Sequence, residues 1–218
     1  MSVLAPVCIY YIVVAYKQVQ VNAGGKGGAN FTKEVVSVGK KIVVITGSPR
    51  AKGNSAAMAA AFIKAAEEKG HSVTRFDAAM MDVKGCRACC GCYKTGKACA
   101  FDDDFNKIAP AVEEADAVVF ATPVYWYTMP AQIKAVIDKF YSFCVAGRKI
   151  AGKECALISC CEESDPTVLD GVRMPYERST ALIEWKNVGE VLVPGVNAEG
   201  DIDKTDGCAK AAALAELF

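Results

Sequence analysis

From residue 41 onward, short apolar runs alternate with helical patterns, and this alternation restricts the fold more than any other feature of the chain. The apolar runs are rich in β-branched residues, which favour strands. Five strands separated by helices imply a parallel sheet that is covered on both faces, and the central strand 117–121 is fully apolar. Right-handed crossovers then predict an α/β fold, a doubly wound five-stranded parallel sheet with helices on both faces. The predicted strands are 42–46, 72–77, 117–121, 155–159 and 188–193, and the predicted helices are 55–69, 105–115, 130–141, 175–185 and 204–218.

Residues 47–55, GSPRAKGNS, join the first predicted strand to the first predicted helix. Backbone N–H groups at a helix N-terminus attract anions, and the helix dipole adds to that attraction. Ser48, Asn54 and Ser55 add side-chain donors, and Arg50 adds positive charge. The loop has neither the Gly-Lys-Ser/Thr ending of nucleoside-triphosphate loops nor G-x-G-x-x-G. It therefore predicts a phosphate site, with an ordinary capped strand–helix turn as the alternative.

A second loop, 122–130, follows the central strand and has the sequence TPVYWYTMP. In the doubly wound fold it reaches the same sheet edge as the first loop. Its three consecutive aromatic residues suit a flat aromatic ligand, although a hydrophobic lid or a subunit contact would also explain them. Together, the two loops predict a ligand with a planar ring and a phosphate tail.

A third loop follows the fourth predicted strand and begins with Ser159, Cys160, Cys161 and Glu162. Its position at the carboxyl end of a strand would let it complete the pocket with backbone donors. The alternative is a simple connector between a strand and a helix.

Eleven cysteines are many for 218 residues, and five of them fall between Cys86 and Cys99. Cys86, Cys89, Cys92 and Cys99 could supply the four thiolates of a 4Fe–4S cluster or a zinc ion. Cys90 is a fifth thiol in the same segment, so the choice of four ligands is ambiguous. A redox disulfide and plain buried residues are the other interpretations. The acidic run 102–104 could form a carboxylate site, but the preferred interpretation is a cap on the following helix.

Composition excludes several classes of function. The formal net charge is 0, so no basic surplus indicates nucleic acid or an anionic membrane. The only histidine, His71, lies in a predicted turn, which makes histidine-based catalysis improbable. Apolar residues make up 52% of the chain, and with clustered cysteines this favours a reducing cytoplasm over a secreted disulfide framework. Residues 1–39 do not continue the strand–helix alternation, and their apolar run is too short for a membrane span. We interpret them as an N-terminal appendage of unassigned role.

The three loops together resemble the NADPH-dependent FMN reductase group of flavodoxin-like proteins. The motifs that carry the resemblance are GSPRAKGNS, CRACCGCYKTGKACAFDDDF and ATPVYWYTMPAQIKAVIDKFY, within residues 40–218. The resemblance implies a single FMN-binding domain there. It also implies a role for each loop. The first loop would hold the FMN phosphate through Ser48, Arg50, Asn54 and Ser55. The second loop would flank the isoalloxazine ring with Pro123, Val124, Tyr125 and Trp126, and the third would contribute Ser159, Cys160 and Glu162.

The same resemblance implies an NAD(P)H-dependent oxidoreductase that passes hydride or electrons through FMN to a quinone, a flavin or another small acceptor. FMN would carry the chemistry, so no catalytic side chain is predicted. It also implies a homodimer or homotetramer. The cysteine spacing resembles that of the iron–sulfur flavoproteins, in which a 4Fe–4S cluster accompanies FMN. The alternative function is therefore a relay of single electrons to a protein partner such as ferredoxin, and a non-catalytic flavin-binding module is a third.

Overall fold

The structure is a computed structural model that describes residues 39–218. The predicted N-terminal appendage lies outside the described residues, apart from Gly39. The strands are β1 (Lys41–Thr46), β2 (Ser72–Asp77), β3 (Ala117–Pro123), β4 (Glu154–Cys160) and β5 (Lys186–Val193). The helices are α1 (Asn54–Glu68), α2 (Phe105–Glu114), α3 (Ala131–Lys139), α4 (Tyr141–Val145), α5 (Asp170–Leu182) and α6 (Gly207–Leu214).

The five strands form one parallel sheet in the order β2-β1-β3-β4-β5. The predicted doubly wound α/β fold is therefore confirmed, and each predicted strand lies within an observed one. The strand order reverses at β1, because β2 lies on one side of it and β3 on the other. Loops that leave the carboxyl ends of β1 and β3 consequently diverge and leave a crevice between them, the usual ligand site of such sheets.

Two hydrophobic cores cover the two faces of this sheet, because successive strand residues point to opposite sides. On one face Val43, Val118 and Leu157 pack with residues of α2, α3 and α5. On the other face Val44 and Val119 pack with residues of α1 and α6. Both groups of strand residues are buried, which explains why the central strands β1, β3 and β4 are largely apolar.

Three predicted helix boundaries are wrong. The predicted helix 130–141 is divided at Phe140 into α3 and α4, where Phe140 N–H donates to Ile137 O, a tighter i→i−3 turn. The predicted helix 204–218 is shorter as α6, because Thr205 has an extended backbone and separates it from the preceding 3₁₀ turn. Helix α5 begins at Asp170 and ends at Leu182 instead of spanning 175–185, so Pro175 lies inside it. No helix among residues 39–218 is long and apolar enough to cross a membrane.

Candidate functional site

A cleft of about 680 Å³ lies at the carboxyl edge of the sheet, at the point where the strand order reverses. Its walls come from the loops that follow β1, β3, β4 and β5. Ten of the eleven predicted cofactor-binding residues line it: Ser48, Arg50, Asn54, Ser55, Pro123, Val124, Tyr125, Trp126, Cys160 and Glu162. The sequence reasoning thus selected residues from three separate loops that the fold brings to one cavity.

The loop after β1 is a tight turn that ends at the N-terminus of α1. The Arg50 N–H donates to Ser48 Oγ at 3.1 Å, and the Gly53 N–H donates to Arg50 O at 3.0 Å. Helix α1 has no side-chain cap at Gly53, so its dipole and its first N–H groups are available at the cleft, apart from the Ser55 N–H, which lies next to the Cys160 thiol. The exposed Arg50 side chain adds positive charge at the same end. This part of the cleft suits an anion.

Asn54 lines the cleft, but its side chain is already engaged. Its Nδ2 donates to Ala198 O at 3.0 Å, and its Oδ1 accepts from the Ile202 N–H at 3.2 Å. Asn54 therefore fastens the loop after β5 to the start of α1, and its amide is not directed at a ligand.

The aromatic loop after β3 is a two-residue turn. Tyr125 and Thr128 exchange backbone hydrogen bonds of 2.9 and 3.1 Å, and between them Trp126 and Tyr127 have φ values of 49° and 64°. Both lie in the left-handed region, which is unfavourable for aromatic residues. The side chain of Trp126 is 94% exposed, so the turn presents a large aromatic surface at the rim of the cleft.

The loop after β4 contributes two residues with different environments. Cys160 is 3% exposed, and burial raises the pKa of its thiol to about 12, so the thiol is neutral at physiological pH. Glu162 is exposed and accepts a hydrogen bond from Asn197 Nδ2 at 2.9 Å. Ser159 is fully buried in β4, does not line the cleft, and its Oγ has no hydrogen-bond partner. The structure thus separates Ser159 from the other predicted residues.

The cleft fits the FMN that the sequence predicts on three observations. Its volume is typical of small-molecule sites. One end offers an uncapped helix N-terminus with Arg50, and the rim carries the aromatic turn. A phosphate would find hydrogen-bond donors and positive charge at the helix N-terminus, and a planar ring would find aromatic surface at the rim.

The cysteine loop, residues 81–104, follows the edge strand β2 and forms a second, small pocket. Cys86, Cys89, Cys90, Cys92 and Cys99 all line it, together with Lys139 and Ser142 from the α3–α4 region. Every cysteine in the described part of the chain is a free thiol. Burial, with smaller contributions from neighbouring thiols, raises the pKa of Cys92.

Two polar networks hold this loop against α2 and α3. Tyr93 Oη donates to Glu113 Oε1 at 2.5 Å, and Arg148 donates to both Glu113 carboxylate oxygens at 2.6 and 2.9 Å. At the other end Asp103 accepts from Lys139 Nζ and from the backbone N–H groups of Lys84 and Phe105.

The prediction that residues 102–104 cap α2 is therefore correct only for Asp103, which accepts from the Phe105 N–H. Asp104 instead accepts from the Asp82 N–H, and Asp102 pairs with Lys97. Rather than facing a metal, these carboxylates fasten the cysteine loop.

The predicted metal ligands Cys86, Cys89, Cys92 and Cys99 share one pocket but do not form a metal site as the loop stands. Within residues 39–218 no three histidine, cysteine or acidic side chains are gathered closely enough to hold a metal ion. The free space in the pocket is about 20 Å³, room for about one water molecule. Four thiols suit a 4Fe–4S cluster chemically, but the observed arrangement does not accommodate one.

The strand order and a cleft at the point of reversal define a flavodoxin-like α/β protein. Within this class, the chain belongs to the NADPH-dependent FMN reductase family, whose sequence profile matches residues 40–166. That match covers β1 to β4 and therefore three of the loops that form the cleft. Members of this family are FMN-dependent oxidoreductases, as the sequence resemblance implied.

Among characterised sequences, the chain is similar to iron–sulfur flavoproteins. It is 36% identical to one from Archaeoglobus fulgidus over 103 residues, which is 47% of this chain and 46% of that protein. It is 34% identical to one from Methanosarcina thermophila over 99 residues, which is 45% of this chain and 51% of that protein. The chain thus spans about half the length of these relatives.

Solved structures with the same fold include an NAD(P)H:quinone oxidoreductase from Methanothermobacter marburgensis. Its TM-score is 0.64 at 18% identity, over 82% of this chain and 95% of that one. An azoreductase from Bacillus anthracis superposes with a TM-score of 0.62 at 22% identity, over 82% of this chain and 100% of that one. At such identities these structures support the fold alone.

Sequence reasoning missed several residues that line the cleft. Val196, Asn197 and Glu199 come from the loop after β5, which carries no recognisable motif. The position of this loop at the carboxyl end of a strand was the only available signal. Tyr127, Cys161 and Glu163 also line the cleft; they belong to the predicted second and third loops but were not selected as individual site residues.

Proposed function

We propose that residues 40–218 form an FMN-binding domain that catalyses NAD(P)H-dependent reduction of a small acceptor such as a quinone or a flavin. The observation that carries this proposal is the single cleft of about 680 Å³ with an uncapped helix N-terminus and Arg50 at one end and an aromatic turn at its rim. When bound, FMN supplies the hydride and electron transfer.

Each wall of the cleft has its own task in this proposal. Ser48, Ser55 and the first N–H groups of α1 bind the phosphate, and Arg50 balances its charge. Pro123, Val124 and Tyr125 contact the ring, and Trp126 shields it from water. Cys160 is buried beneath the cleft and contributes apolar surface, because its thiol stays protonated. The side chain of Asn54 supports the loop after β5 and acts only indirectly.

The exposed aromatic turn also supports the expectation of a homodimer or homotetramer, in which a second subunit would cover the 94% exposed Trp126. Size-exclusion chromatography with light scattering tests this part alone. A monomer with full activity would contradict it.

The test of the main proposal is a fluorescence titration of the apoprotein with FMN. Wild type is expected to bind FMN, and Arg50→Ala is expected to bind it about 10-fold more weakly through loss of a charge-assisted contact. Lys52→Ala is the matched control, because Lys52 is an exposed cation of the same loop that does not line the cleft. Anaerobic NADPH and NADH should then bleach the visible absorption of the bound flavin. Failure to bind FMN would overturn the proposal.

A second candidate is an iron–sulfur flavoprotein that relays single electrons to a carrier of the ferredoxin type. The specific observation in its favour is that four thiols at the spacing 86, 89, 92 and 99 line one pocket and are all free. The loop would have to open, because the pocket now has room for about one water molecule.

Iron and sulfide assays after anaerobic purification decide between the two candidates. About four irons per chain, lost in Cys92→Ser while FMN is retained, would favour the relay. A purely yellow, iron-free protein that NADPH reduces would favour the small-acceptor reductase.

A further inference from the structure

Helix α5 has a notch into which the aromatic turn fits, and Gly171 provides the space. A Cβ added to Gly171 would lie 2.8 Å from the carbonyl carbon of Tyr127 and even closer to its oxygen. These are backbone atoms, which cannot rotate away as a flexible side chain could. Gly171 does not have a positive φ, so glycine is needed here for space and not for backbone conformation.

Pro175 contributes to the notch in a second way, because it leaves a backbone carbonyl of α5 without its usual hydrogen-bond donor. In an α-helix the N–H of residue i+4 normally bonds to the carbonyl of residue i. Pro175 stands four residues after Gly171 and has no N–H, so the Gly171 carbonyl lacks that helical partner. It instead accepts a hydrogen bond from Thr128 Oγ1 at 3.0 Å. The Gly171 carbonyl is therefore both close to the aromatic turn and free of a helical donor, so it can accept a hydrogen bond from that turn.

The turn needs outside support because Trp126 and Tyr127 both have left-handed backbone conformations, which are unfavourable for aromatic residues. We propose that Gly171 and Pro175 are positioning residues that hold the aromatic turn in this conformation and so place Tyr125 and Trp126 for ring binding. The placement of the turn is independent of any ligand, whereas its effect on FMN rests on the proposed function.

The placement can be measured without FMN through the two tryptophans of the chain. Trp126 is exposed on the turn, whereas Trp185 is 5% exposed and its Nε1–H donates to Ile150 O at 2.6 Å. In ¹H–¹⁵N spectra of apo Gly171→Ala, the indole resonance of Trp126 should move and that of Trp185 should stay. Trp126→Phe assigns the two signals.

The effect on binding is measured by FMN titration of the same variants. Gly171→Ala is expected to weaken FMN binding at least 10-fold. Gly85→Ala is the matched control, because a Cβ at Gly85 meets no atom within 4 Å, and its FMN affinity should equal that of wild type. Helix propensity alone would make Gly171→Ala neutral or stabilising, so a loss of FMN affinity would report the clash.

Thr128→Val and Pro175→Ala keep the proposal testable if Gly171→Ala folds poorly. The first removes the hydroxyl donor, and the second restores an N–H that competes for the Gly171 carbonyl. Both should move the Trp126 resonance and weaken FMN binding about 3-fold. An unmoved Trp126 resonance in all three variants would overturn the proposal. Moved resonances with no FMN binding even by wild type would support the positioning and overturn only the proposed function.

Discussion

The ammonium group of Lys139 and the carboxylate of Asp103 form an ion pair in which the two side chains are only 4% and 0% exposed. Asp103 belongs to the end of the cysteine loop and Lys139 to the end of α3, so the pair ties that loop to α3. The two backbone N–H donors on Asp103 help to compensate for removing its charge from water.

We expect Lys139→Met to destabilise the protein by about 3 kcal/mol, because it leaves the Asp103 carboxylate buried without its cation. Asp103→Asn should cost a similar amount. The double variant Lys139→Met/Asp103→Asn should cost clearly less than the sum, as in a coupled pair. Urea unfolding of the four proteins measures this, and additive losses would show that the pair contributes nothing.

Asn54 connects the start of α1 to the loop after β5 through two hydrogen bonds. Replacing it by Ala should lower the free energy of unfolding by about 2 kcal/mol, about 1 kcal/mol for each bond. Amide hydrogen exchange should accelerate within residues 196–203. Exchange on the cysteine loop is the internal control and should not change. Unaltered exchange at Ile202 would contradict the connection.

Cys160 should be inert towards alkylating reagents in the folded protein. Its thiol has a pKa of about 12 and is 3% exposed, so at pH 8 only about one molecule in ten thousand carries the thiolate. Cys89 is exposed and should react with iodoacetamide within the same period. Mass spectrometry of timed digests distinguishes the two sites, and urea-unfolded protein provides the fully labelled reference. Equal labelling rates in the folded protein would contradict the burial of Cys160.

Glu113 should make stability depend on pH. Although burial opposes the shift, hydrogen bonds from Arg148 and Tyr93 hold the pKa of Glu113 below its ordinary value of 4.5. A lowered folded-state pKa gives stabilisation that is complete above the unfolded-state pKa and lost as the pH falls through the folded-state pKa.

Glu113→Gln should therefore cost about 2 kcal/mol at pH 7, and its difference from wild type should shrink below about pH 4. Urea unfolding at pH 7, 5 and 3.5 provides the comparison. Glu114→Gln is the control, because Glu114 has only an exposed pairing with Lys41 at 3.6 Å. A difference that remains constant with pH would exclude the ionised carboxylate as the cause.

The central strands β1, β3 and β4 could be predicted because they are buried on both faces, which leaves an unambiguous apolar run such as 42–46. The loops after β1 and β3 could be located because glycine, proline and aromatic residues stand directly after those runs. That these loops meet at one cleft could be predicted from the parallel topology of the sheet, and not from the residues of the loops themselves.

The notch of α5 could not be predicted, because Pro175 was interpreted as the first residue of a helix. Placing the start there left Gly171 in a loop, where a glycine needs no explanation. The role of Asn54 was likewise hidden, since a polar residue at a helix start resembles a ligand donor. Only its two contacts across the fold, to Ala198 and Ile202, reveal that the side chain is occupied.

The cysteine loop follows β2, which within residues 39–218 pairs only with β1, whereas the cleft is assembled from the loops after the other four strands. Residues 81–104 could therefore change in length or lose their cysteines in evolution while the loops that form the cleft stayed intact. Protein engineers could use the same freedom, grafting this thiol-bearing module onto a relative that lacks it and keeping that relative's own reactivity.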